Sequence, residues 1–148
     1  MRIFAKLVLV FALMLSGAAR ASITVDSAAK RSESGSVGIE VTFKGVGAEG
    51  IVFEVAFDTM RMDPPPLDSY DLSKLARLVV DGGAPVSPSS WTIRETGHMG
   101  HHLRGRLVFP SVTAGRPVLG PGAKALELRI AGLDGQAQQV FSWSIVAR

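Results

Sequence analysis

The chain contains no cysteine. That excludes disulfides, a thiol nucleophile, any thiolate metal site and a blue-copper centre built on a Cys ligand. No Gly-x-Ser-x-Gly elbow is present, so the common strand–turn–helix setting of a serine hydrolase is missing too. Beyond the first 21 residues no apolar run is long enough to cross a bilayer as a helix. A surplus of positive charge is also lacking once the N-terminus is set aside. The whole chain has 16 Lys+Arg and 13 Asp+Glu, but Arg2, Lys6 and Arg20 lie in those first residues and no acid does. The remainder carries equal numbers of each. The net basic footprint that a nucleic-acid-binding domain needs is therefore absent.

What is there begins with an export pattern. Arg2 and Lys6 precede the uninterrupted apolar run Leu7 to Leu15. That run has the length of a signal-peptide core and is too short for a span. Ala19-Arg20-Ala21 supplies a small-x-small cleavage site. The expected organisation is a signal peptide over 1–21 and one domain over 22–148, periplasmic or secreted, with no membrane attachment after cleavage. Without disulfides, such a domain must be held by its core.

The rest alternates. Ile23-Thr24-Val25 reads as a short strand, and the polar Asp26 to Ser36 as a loop. Val37, Ile39, Val41 and Phe43 share one face of a strand, with Glu40, Thr42 and Lys44 on the other. After a glycine-rich turn, Ile51, Phe53, Val55 and Phe57 repeat the pattern, which makes a hairpin. Pro64, Pro65 and Pro66 form a stiff crossing between sheets, because proline fixes φ and lacks a donor. Asp68 or Ser69 is expected to cap one helical turn through Lys74. Ala76 to Val80 is a strand ended by Asp81-Gly82-Gly83. Trp91 and Ile93 are expected to point inward. Strands follow over Leu103 to Phe109, Ala125 to Ile130 and Gln139 to Ala147, the last with Phe141, Trp143 and Ile145 inward. A long loop covers Ser111 to Lys124. About eight strands and one weak helical turn predict an all-β, two-sheet antiparallel sandwich, immunoglobulin-like in architecture.

Several of these residues also form a recognisable series. Phe57-Asp58-Thr59, Asp68-Ser69-Tyr70-Asp71-Leu72, Trp91 and Gly100-His101-His102, followed by Gly105, Leu107, Phe109 and Pro110, resemble a family of small exported bacterial β domains. That family is uncharacterised and common among predicted lipoproteins. The resemblance covers most of the domain and implies one exported β fold, with no established activity attached. Its pattern has Asp-Thr-His where this chain has Asp58-Thr59-Met60, and the lipoprotein cysteine is absent.

Chemistry concentrates in Thr96 to His102, which holds every histidine of the chain. His98, Met99, His101 and His102, with Met60 and Met62 from the proline-rich crossing, combine imidazole and thioether. Imidazole suits copper and zinc, and thioether selects Cu(I). The bland alternative is a solvated or hydrogen-bonded loop, since His101 and His102 point to opposite faces if extended. Asp58, Asp63, Asp68 and Asp71 are a weaker calcium candidate, because their spacing matches no EF-hand loop. Arg104 and Arg106 read as surface charge. The leading expectation is an exported, non-enzymatic metal-binding protein. Copper is the expected metal, with His98, His101, His102 and Met60 as ligands. The alternative is an immunoglobulin-like interaction or adhesion module that meets a protein partner without metal.

Overall fold

The computed structural model describes residues 22–133 and 135–146. The expected signal peptide at 1–21 lies outside them. Eleven strands run through the described residues, with only two 3-10 turns and one short helix. They are β1 (Thr24–Val25), β2 (Ala29–Ser34), β3 (Val37–Gly47), β4 (Gly50–Thr59), β5 (Ala76–Val80) and β6 (Ser90–Thr96). They continue with β7 (His102–Phe109), β8 (Val112–Thr113), β9 (Arg116–Pro117), β10 (Ala125–Ile130) and β11 (Gln139–Val146). The helix is α1 (Leu72–Leu75).

Two antiparallel sheets face each other. One has the order β2-β3-β4-β7-β6, the other β1-β11-β10-β5. Without β2 and β1 the orders are β3-β4-β7-β6 and β5-β10-β11. These orders match the ABED and CFG sheets of a constant-type immunoglobulin sandwich. β2 extends one sheet at its outer edge, β1 the other. The pair β8–β9 is a separate small hairpin within the long loop.

The alternating faces meet in one core. Val37, Ile39, Val41, Ile51, Phe53, Val55 and Phe57 are all essentially buried, opposite Leu126, Leu128, Ile130, Phe141 and Trp143. Phe53 bridges the sheets, with its ring centroid 5.4 Å from Trp143 and 5.9 Å from Phe109. The proline segment carries the chain from β4 in one sheet to β5 in the other, as its stiffness suggested.

Three local expectations need correction. The supposed loop Asp26 to Ser36 contains β2, paired along its length with β3 from Ala29↔Thr42 to Ser34↔Val37. Its covered side is polar because it meets a polar rim. The Ser34 hydroxyl donates to the Leu133 carbonyl at 3.1 Å, and Ser32 bonds Gln139. The helical turn is capped by Asp71, whose carboxylate accepts from the Ser73 N–H at 3.1 Å, and not by Asp68 or Ser69. Finally, Trp91 is only half-buried and Ile93 is 37 % exposed. β6 is an edge strand whose register against β7 slips between Ile93 and Glu95, so its alternation is broken there.

Candidate metal centre at the histidine loop

The end of β4 and the start of β7 lie side by side, with Asp58 opposite His102. One residue beyond that pair, the chains are tied twice. The Thr59 N–H donates to the His101 carbonyl at 3.0 Å, and His101 Nδ1 lies 3.1 Å from the Thr59 carbonyl oxygen. A carbonyl only accepts, so Nδ1 carries the proton. The lone pair of the neutral ring is therefore on Nε2. That atom has no hydrogen-bond partner among the described residues. A backbone carbonyl fixing one ring nitrogen is the usual support of a metal-binding imidazole. Met60 follows Thr59 directly.

His102 is committed differently. It stands on the outward face of the five-stranded sheet, between the loop and buried Leu103. The loop itself is a tight bracket. The Gly97 N–H donates to the His102 carbonyl at 2.7 Å, and a Cβ on Gly97 would come within 2.8 Å of the His102 Cβ. A 3-10 turn, His98–Gly100, fills the bracket with Met99 at φ 58°, ψ 19°. That left-handed conformation costs a side-chain-bearing residue about 1–2 kcal/mol.

Two open grooves adjoin His102. The larger, about 470 Å³, is lined by Pro64, Pro65 and Pro66 together with Met99, Leu103 and His102. The smaller, about 330 Å³, lies on the outward sheet face among Arg31, Glu40, Asp58, Glu95 and Arg104. Gly97, His102 and Leu103 border both. Arg31 clasps Asp58 with contacts of 3.1 and 3.0 Å, and Arg104 lies 3.7 Å from Glu54. These pairs are half-exposed and worth little to stability.

The expected ligands are thus brought to one end of the sandwich but not to one point. Among the described residues no three His, Asp or Glu side chains gather closely enough to hold a metal ion. His98 is exposed and lines neither groove. His101 is beside the Met60 backbone, while His102 shares a groove with Met99. The calcium candidates do not converge either. Asp58 is held by Arg31, and Asp71 is a helix cap. The Asp71 carboxyl is held below its ordinary value, chiefly by the Ser73 hydroxyl and further by Lys74. The Asp26 carboxyl is likewise lowered, chiefly by Lys30.

One feature was invisible along the chain. Every methionine among the described residues is exposed: Met60 at 92 %, Met62 at 97 % and Met99 at 72 %. All three belong to the two segments that meet at this end.

No family model, curated protein or solved structure matches this chain.

Proposed function

We propose that this chain is an exported copper-binding protein, acting in the periplasm or outside the cell, with no catalytic role. The observation that carries the reading is the Thr59–His101 contact. It fixes the tautomer of an imidazole and leaves the ring lone pair on Nε2, and the residue that follows Thr59 is Met60, 92 % exposed. Imidazole and thioether together favour copper, the thioether preferring Cu(I). Other metals fit less well. Structural zinc takes a closed tetrahedral set, and among the described residues no three imidazoles or carboxylates gather. Calcium and magnesium want several oxygen ligands, and of the candidate carboxylates Asp58 is engaged by Arg31 and Asp71 in capping.

Calorimetric titration of the purified protein with copper tests this. Binding that weakens in His101→Ala and Met60→Ala supports it. Equal copper uptake by wild type and a His98/His101/His102→Ala triple variant would end it.

A second reading, an interaction module without metal, is favoured by β6. This seven-residue strand bonds a neighbouring strand on one side only. An open edge of that kind accepts an added strand from a partner. A pull-down in which substitutions in β6 abolish capture, while copper has no effect, would select it.

A further inference from the structure

We infer that the histidine loop carries a second soft-metal site, distinct from the His101–Met60 position and built from Met99 and His102, which takes Cu(I). The inference rests on the copper reading above and extends it to residues on the other side of the loop.

Four observations lead to it. First, Met99 and His102 line the same groove, the one walled by Pro64 to Pro66, and neither His101, His98 nor Met60 lines it. Secondly, His102 does not share His101's attachment: it lies outward on β7, whereas the His101 ring is tied to the Thr59 carbonyl. The adjacent histidines therefore serve different surroundings. Thirdly, the bracket is tight. Gly97 closes on His102 through its N–H with no space for a side chain, and the turn holds Met99 at positive φ. Nothing in the core requires methionine there, because its side chain is 72 % exposed. Glycine or asparagine would occupy that conformation at lower cost. A thioether kept in a strained, exposed position, on the same groove as an imidazole, is what a soft cation would select.

Fourthly, the chemistry of the walls is selective. The groove supplies one imidazole, one thioether, three prolines and Leu103, with Asp68 as the carboxylate on its rim. Hard cations that demand several oxygens have no set here. Zinc would lack the closed set of N, S or O ligands that it takes in structural sites. Cu(I) accepts few ligands and prefers sulfur with imidazole.

The test is an anaerobic titration of the purified protein with Cu(I), in competition with a chromogenic Cu(I) chelator. The methionine methyl groups are followed by NMR. Wild type is expected to take two Cu(I), with the Met99 methyl shifting on one of them. Met99→Asn keeps a residue that tolerates positive φ and removes the sulfur. It should melt no lower than wild type and lose one equivalent, as should His102→Ala. His101→Ala should also lose one equivalent while leaving the Met99 methyl responsive. A single Cu(I) in wild type, lost in His101→Ala and kept in Met99→Asn, would overturn the second site and leave the proposed function standing. No Cu(I) bound by wild type would overturn both. Full stoichiometry in a folded Met99→Asn would overturn the assignment of Met99.

Discussion

Thr59 and His101 hold each other at two points, one through backbone N–H and carbonyl at 3.0 Å, the other through the imidazole Nδ1 at 3.1 Å. Thr59 is the last residue of β4 and is buried. His101 immediately precedes β7 and is half-buried. The contact joins a strand end to a loop and sets the tautomer of the ring. His101→Ala should cost about 0.5–1.5 kcal/mol of stability, the usual net worth of one hydrogen bond. It should weaken copper binding by more than tenfold, or about 1.4 kcal/mol. Denaturant unfolding and calorimetry on the same variant separate the two effects. A stability loss with unchanged copper affinity would make the contact purely structural.

Trp143 is the largest side chain in the core. It is 2 % exposed, packs on Phe53, and its indole N–H reaches the Ala28 carbonyl at 3.3 Å. Trp143→Ala should destabilise by about 3–5 kcal/mol. For a domain stable by about 5–15 kcal/mol that is a large share. A melting temperature equal to that of wild type would contradict the burial.

The Trp91 ring lies against Gly105 on the adjacent strand, where an added Cβ would overlap it. Phe57 meets the same ring edge-on at 6.4 Å. Gly105→Ala should therefore push Trp91 outward, at a cost of about 1–3 kcal/mol. A red-shifted tryptophan emission is the expected signature. Gly122→Ala, where a Cβ meets nothing within 4 Å, is the matched control and should leave emission unchanged.

Asp71 makes the helix cap pH-sensitive. Its folded-state carboxyl titrates below the ordinary value of 3.8, chiefly because the Ser73 hydroxyl donates to it. The ionised form is thus favoured by folding. Its contribution is complete above the unfolded value and disappears as pH falls through the folded one. Asp71→Ala should lower the melting temperature at neutral pH. The gap to wild type should close in acid below that folded value. A gap independent of pH would mean that the carboxylate's charge plays no part in the cap.

The apolar run and the Ala19-Arg20-Ala21 site predict an exported protein beginning at Ser22. Intact-mass measurement after export checks this directly. Retention of Met1 to Ala21 would remove the export assignment.

Much of the architecture could be read along the chain, because burial imposes a period of two wherever a strand has one apolar face. Val37 to Phe43, Ile51 to Phe57 and Leu126 to Ile130 carry that period, and each lies in the core. β2 was not legible as a strand, since its covered face meets the Gln139 side chain and the Leu133 carbonyl and so needs no apolar residues. A local signal was nevertheless present: Gly35-Ser36, with Gly35 at φ 61°, is the two-residue turn of the β2–β3 hairpin. Ile93 defied its alternation because an edge strand can bulge. The candidate site divides in the same way. That histidine and methionine recur near two strand ends is a property of the sequence. That Thr59 fixes His101 depends on β4 and β7 pairing across more than forty residues, and the groove that Met99 and His102 share is completed by the distant proline segment. Side-chain type is written residue by residue, but which nitrogen is tied and which is open follows from contacts made only when distant segments meet.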